Sequence, residues 1–225
     1  MTESRHSNRC VIVGGADISC PGRVTAFLRE GDFVICCDSG LRHAGVLGAP
    51  PDLIVGDFDS YEDPHSDIET IRLPVAKDDT DTVYAVREGI KRGFKDFLLI
   101  GAIGARLDHS LVNVYLLGML RDNGCRGLIV DDYSEIELIC AGDEPALVDS
   151  SYPYFSLVAT EGIARGVTIR NAKFPAEDTE ITPGYQYATS NEALPGRTAE
   201  ITLREGRLLL IRILPGAAKR HPEEE

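Results

Sequence analysis

Asp52-Leu53-Ile54-Val55-Gly56-Asp57-Phe58-Asp59-Ser60 is a short apolar run of strand character that stops at a glycine and delivers two carboxylates. In an extended chain successive side chains alternate faces, which sets Asp57 and Asp59 on one side and Phe58 on the other. Two carboxylates this close do not both stay ionised cheaply unless a cation sits between them. Carboxylates are hard oxygen ligands, and Mg²⁺ is commonly shared between protein carboxylates and substrate phosphates. The same residues also read as an acidic loop in solvent. Two later stretches weigh against that: Lys77-Asp78-Asp79-Thr80-Asp81 and Gly104-Ala105-Arg106-Leu107-Asp108-His109, each placed where a strand or loop gives way to a helix.

Outward from the acidic stretch, strands and helices alternate. Arg9 to Val13, Phe33 to Cys37, the run into Gly56, Ile68 to Leu73, Phe97 to Ile100 and Gly127 to Asp131 read as strands. Pro21 to Glu30, Leu41 to Leu47, the Lys77–Arg92 region and the stretch marked by Leu111, Val114, Tyr115 and Gly118 read as helices. Such alternation predicts a mainly parallel sheet with helices on both faces, its ligand site at the carboxyl ends of the strands. The acidic clusters fall there, as does Asp38, directly after the second strand. Asp79, Thr80 and Asp81 also suit plain helix capping, which is compatible with facing a ligand. Near residue 135 the pattern changes to strands and turns: Glu135–Cys140, Tyr154–Ala159, Val167–Arg170, Tyr185–Thr189, Thr198–Leu203 and Arg207–Ile213. The expectation is an α/β N-terminal domain over residues 1–134, an all-β sandwich domain over 135–214 and a polar tail over 215–225.

Composition bounds the function. In 225 residues the net charge is −13, which argues against general nucleic-acid binding and suits a cationic small substrate. The six cysteines include no C-x-x-C pair, so they read as free thiols rather than a zinc or dithiol site. No apolar segment precedes Cys10 as a leader and none reaches transmembrane length, so the expected setting is a reducing cytoplasm, with no membrane partner. Neither a G-x-G-x-x-G nor a Walker loop is present.

Lys77 and Arg106 place positive charge beside the carboxylates. Carboxylates that bind a metal and cations that bind phosphate together describe a metal–polyphosphate site. His109 reads either as a structural residue or as a group that binds phosphate, stacks near a base or moves a proton. A Mg²⁺- or Mn²⁺-dependent nucleotide phosphohydrolase fits the same residues, and so does a nucleotide-binding sensor without turnover.

With Cys37-Asp38-Ser39-Gly40, Pro51 to Ser60, Lys77 to Asp81, Gly104 to His109 and Thr189-Ser190-Asn191-Glu192 in this order, the sequence resembles the thiamine pyrophosphokinase family of the bacterial type. The resemblance implies transfer of the diphosphate of ATP to the hydroxyl of thiamine, releasing AMP, by homodimers whose active sites are shared between subunits. It implies that Asp57, Asp59 and Asp81 hold Mg²⁺ with Asp38 close by. Lys77, Thr80, Arg106 and Asp108 then contact the nucleotide, with His109 grouped beside them, and Ser190 and Asn191 contact thiamine. Asp38-Ser39-Gly40 departs from the more usual Asp-Gly-Gly, and with no Trp in the chain any aromatic partner of the substrate is Tyr, Phe or His.

Overall fold

Four of the predicted N-terminal strands are apolar without alternation, and they form the buried middle of a sheet. The computed structural model describes residues 8–58, 67–74, 76 and 78–217. The chain divides into two units, residues 1–132 and 133–225.

In the first unit β1 (Arg9–Val13), β2 (Phe33–Cys37), β3 (Leu53–Gly56), β4 (Glu69–Arg72), β5 (Asp96–Ile100) and β6 (Arg126–Val130) lie in the order β4-β3-β2-β1-β5-β6. All five pairings are parallel. β1 and β3 are buried throughout and β2 and β5 nearly so, as expected of strands covered on both faces. Side chains such as Ile12, Ile35, Ile54 and Leu99 are fully enclosed, each contributing about 1.5–3 kcal/mol on burial. The helices are α1 (Pro21–Thr25), α2 (Ala44–Leu47), α3 (Asp81–Lys91) and α4 (Leu107–Asp122). α3 packs on β1, β2 and β3, and α4 packs on β6 and α3. The chain steps outward from β1 to β4, then returns to the far side of β1 as β5. That reversal makes the carboxyl ends of β1 and β5 the topological switch point.

Two helical expectations are corrected. The helix expected to Glu30 stops at Thr25, because Phe27 and Leu28 make i→i−3 turn bonds to Val24 and Thr25. The Phe27 carbonyl accepts from buried Arg9, whose guanidinium is forked onto Asp32, and Gly31 at φ +83° turns the chain into β2. The helix expected from Leu41 begins earlier, as a 3₁₀ turn from Asp38 to His43.

The second unit holds two antiparallel sheets. One contains β7 (Ser134–Cys140), β13 (Arg207–Ile213) and β9 (Phe155–Val158), with β13 between the other two. The other runs β11-β10-β12-β8, from β8 (Ala146–Asp149), β10 (Ala164–Arg170), β11 (Ala176–Ile181) and β12 (Thr198–Thr202). Ile139, Phe155, Leu157, Leu208 and Leu210 of the first sheet join Val148, Val167, Ile181 and Ile201 of the second in one core, which makes the unit a sandwich. β8 and β11 were not expected. Both are edge strands, and Glu177-Asp178-Thr179-Glu180 in β11 carries the exposed charge that discourages edge pairing and hides strand character. Tyr185 to Thr189, expected as a strand, pairs irregularly: the Gln186 amide stands in for backbone, accepting from Ala159 N–H and donating to Ala159 C=O.

A buried charge ties the two sheets of the sandwich. Arg212 on β13 donates to Glu135 and Glu137 on β7 and to the Leu147 carbonyl on β8. Burial first, and the adjacent Glu135 second, push the Tyr152 phenol up to about 12. Removing one partner of a buried pair commonly costs about 3–5 kcal/mol. Arg212→Ala therefore lowers the unfolding free energy of this unit by about that amount, read in urea titration. Arg212→Leu combined with Glu135→Leu recovers most of the loss, since no enclosed charge is then left unpaired.

Candidate active site

The switch point is built by backbones in near contact. Gly14 follows β1 and Gly101 follows β5, and Gly14 N–H donates to the Ile100 carbonyl at 2.8 Å while Ala16 N–H donates to the Gly101 carbonyl at 2.9 Å. A Cβ on Gly14 would fall 2.5 Å from the Gly101 oxygen, and one on Gly101 would fall 2.5 Å from the Gly14 oxygen. Gly101 also sits at φ +62°. Over this floor lies a cavity of about 640 Å³, a size typical of small-molecule sites.

Most of the expected residues line it. Asp38 follows β2, is 6% exposed, and holds a left-handed backbone at φ +39°. Gly56 makes room for it, since a Cβ there would stand 3.0 Å from the Asp38 Cβ. Asp57 follows β3, and Thr80 and Asp81 open α3. The Thr80 hydroxyl accepts from Val83 N–H at 3.3 Å, so its capping role is real. Arg106 and His109 come from the start of α4. Asp108 is not on the cavity wall. It grips Arg106 through two bonds, Nε to Oδ1 at 2.9 Å and Nη2 to Oδ2 at 2.6 Å. The Arg106 guanidinium holds the Asp108 carboxyl well below the usual range. Asp59 and Lys77 lie outside the described residues. The strict alternation expected through Phe58 does not occur: β3 ends at Gly56, and Phe58 turns at φ +56° with Arg72 6.0 Å from its ring centroid.

Sequence reasoning passed over several wall residues. Ser110 and Asn113 are buried polar groups on apolar α4; Ser110 Oγ accepts from Gly104 N–H and donates to the Arg106 carbonyl, and Asn113 donates to the Ala102 carbonyl. Two polar residues three apart on an apolar helix were the available signal. Arg42 and Asp17 also face the cavity. Ser39, where the resembled family has glycine, packs its hydroxyl against Gly15, and only a glycine at 15 leaves it space.

In the second unit, Ser190 is exposed at φ +55° with its N–H bonded to Ser156 Oγ. Asn191 is enclosed. Its side chain is buried in a 2% exposed residue, and its amide is committed: Oδ1 accepts from Phe174 N–H and Glu192 N–H, and Nδ2 donates to the Phe174 carbonyl. It holds the Phe174 loop and the chain beside Ser190 rather than offering its amide to a ligand.

Among the described residues no three Asp, Glu, His or Cys side chains form a ready-made metal cage. The donor set still suits Mg²⁺: Asp38, Asp57 and Asp81 give carboxylate oxygens to one cavity that also carries arginines, and Mg²⁺ keeps waters and takes phosphate oxygens rather than filling an all-protein cage.

A parallel α/β unit with carboxylates and arginines gathered at its switch point, followed by an antiparallel sandwich, defines a two-unit protein with one pocket that carries both charges. The family models agree with that class: the catalytic domain of thiamin pyrophosphokinase matches residues 24–129, and the vitamin B1 binding domain of thiamin pyrophosphokinase matches 146–208. The thiamine pyrophosphokinase of Bacillus subtilis is 26% identical over 211 residues, covering 90% of this chain and 96% of that protein. Its crystal structure superposes with a TM-score of 0.81 at 23% identity, covering 92% and 99% of the two chains. The Geobacillus thermodenitrificans structure gives 0.79 at 25% identity, covering 92% and 98%. The yeast structure gives 0.70 at 14%, covering 95% and 88%. The chain belongs to the thiamine pyrophosphokinase family.

Two outcomes test the site as built. Gly101→Ala adds a left-handed backbone cost of about 1–2 kcal/mol to overpacking of about 1–3 kcal/mol, so the melting temperature drops, read by thermal unfolding. Burial and the nearby Asp52 push the Cys36 thiol up to about 12, and burial, with Cys36 and Asp81 beside it, pushes Cys37 well above its ordinary value. An aromatic disulfide reagent at pH 8 therefore titrates exposed Cys20 first and Cys140 slowly, while Cys10, Cys36, Cys37 and Cys125 react only after unfolding.

Proposed function

We propose that the chain moves the diphosphate of ATP onto the hydroxyl of thiamine, producing thiamine diphosphate and AMP. The supporting observation is one cavity at the switch point in which Asp38, Asp57 and Asp81 face the same space as Arg106, in a chain that both family models match. The thiamine hydroxyl oxygen attacks the β-phosphorus, and the bond from that phosphorus to the α–β bridging oxygen breaks. AMP leaves with that oxygen, and the hydroxyl proton passes to solvent. The work of the protein is positioning and charge neutralisation.

Asp57 and Asp81, with Asp38 adjacent and Asp59 from the same acidic stretch, would hold Mg²⁺, which when bound supplies neutralisation of charge on the phosphate oxygens. Arg106 presents a planar fork to phosphate, and Asp108 holds that fork until the phosphate takes its place. Thr80 and His109 line the same cavity, and the Lys77 ammonium would join them on the nucleotide. The acidic chain favours the thiazolium cation, and Ser190 offers its hydroxyl to thiamine while Asn191 sets the loop that carries it. We read the enzyme as a cytoplasmic homodimer with shared active sites. In support, α4 exposes an apolar stripe of Leu107, Leu111 and Tyr115, 68%, 50% and 51% exposed, beside the cavity residues Arg106 and His109. Among the described residues no helix is long and apolar enough to cross a membrane.

The test is AMP formation from ATP and Mg²⁺ with and without thiamine. Thiamine-dependent AMP is the expected result; AMP or ADP released equally well without thiamine would identify a hydrolase instead. Asp57→Asn keeps the shape and removes one charge, and turnover falls by about 10²–10³ with the melting temperature unchanged.

A further inference from the structure

Two arginines stand on the cavity wall, and only Arg106 belongs to a motif of the family resemblance. The other, Arg42, rises from the 3₁₀ turn after β2. Its Nη2 donates to Asp17 Oδ1 at 2.6 Å and to the Gly15 carbonyl at 2.7 Å. Its Nε lies 3.3 Å from His43 Nε2, which is itself 2.9 Å from the Ala16 carbonyl. A single ring nitrogen cannot donate to Ala16 and accept from Arg42 together. The shorter contact makes it the donor, so His43 does not hold the arginine. Nη1 has no partner among the described residues, which leaves one edge of the guanidinium open.

The pair with Asp17 is weakly held. The Arg42 side chain is 42% exposed and that of Asp17 is 88% exposed. Ion pairs this wet contribute about 0–1 kcal/mol, so exchange of Asp17 for another anion costs little. The structural arginines differ: Arg9 and Asp32 are 7% and 4% exposed, and Arg212 and Glu135 are 10% and 8% exposed. The Gly15 carbonyl remains as an anchor when Asp17 leaves, and Gly15 directly follows the locked Gly14.

We propose that Arg42 is a second phosphate-binding arginine of the cavity, and that Asp17 is a stand-in anion which the phosphate of the nucleotide displaces. This rests on the reading of the cavity as the nucleotide site. A phosphate brings two oxygens to the guanidinium fork and repels the carboxylate it replaces.

The experiment measures equilibrium binding of Mg²⁺-α,β-methylene-ATP, inorganic pyrophosphate and adenosine to the full chain, with melting temperatures for every variant. Arg42→Gln should lose about ten- to a hundredfold for the nucleotide analogue and for pyrophosphate, with adenosine unchanged. Asp17→Asn removes the competitor, so phosphate ligands bind equally or several-fold more tightly. A purely structural pair predicts that both variants weaken binding together, and that result overturns the proposal, as does Arg42→Gln with wild-type affinity for the analogue. If Arg42→Gln does not fold, Arg42→Lys carries the test: it keeps the charge, loses the fork, and should weaken phosphate ligands several-fold against unchanged adenosine. Absence of nucleotide binding by the wild-type chain overturns the reading of the cavity itself, and is distinguished from failure of the Arg42 assignment by that wild-type arm.

Discussion

The first unit depends on how closely two peptide backbones approach where β1 and β5 end. Gly14 and Gly101 present carbonyl oxygens 2.5 Å from the place where the other's side chain would begin, so neither residue has room for one. The approach seals the switch point from below and fixes the loops that leave it. Gly15 to Asp17 and Gly104 to Arg106 both line the cavity, and they touch where Gly104 leaves room for the Ala16 side chain. The same economy of space recurs at Gly56, which lies against Asp38. Carboxylates buried this deeply can face a cavity only if nothing else fills it, and glycine is the residue that leaves it empty.

Backbone strain follows the same map. Five residues other than glycine have positive φ among those described, and three of them, Asp38, Phe58 and Ser190, sit in the acidic or S-N-E stretches. Single left-handed residues persist only where surrounding structure over-determines them, and they gather at ligand sites. Asp38 is held by burial and by the 3₁₀ turn it opens. Ser190 is held by Asn191, which pairs with Phe155 through backbone and with the Phe174 loop through its amide. Asn191 is thus built into the scaffold of the turn that presents Ser190.

Much of this was legible from residue order. Continuous apolar runs such as Phe33-Val34-Ile35-Cys36-Cys37 announce strands covered on both faces, and acidic residues directly after them announce the carboxyl-end site. What failed to show had physical causes. Edge strands β8 and β11 carry charge and exposed side chains, so periodicity does not mark them. The short α1 ends because Arg9 and Asp32, distant in sequence, take over its carbonyl and turn. Arg42 and Asp17 escaped notice because neither lies in an acidic cluster; they meet only because β1 and β2 are neighbours in the sheet. Ser110 and Asn113 left a visible trace, two polar residues on an apolar helix, whose meaning needed the loop they bind.

An acidic chain that handles a polyanion poses an electrostatic question. At physiological ionic strength exposed charges are screened beyond about 8 Å, so the net −13 matters less to a bound phosphate than the groups within that distance. Those groups are arranged as pairs. Arg106 with Asp108 and Arg42 with Asp17 are each near-neutral at the mouth of the cavity, and each is wet enough to change partner at little cost. Unpaired arginines would attract any small anion, and buried pairs would resist exchange altogether. Exposed pairs keep each guanidinium close to neutral when the cavity is empty, and on the reading proposed above both forks are released when a polyphosphate replaces the carboxylates.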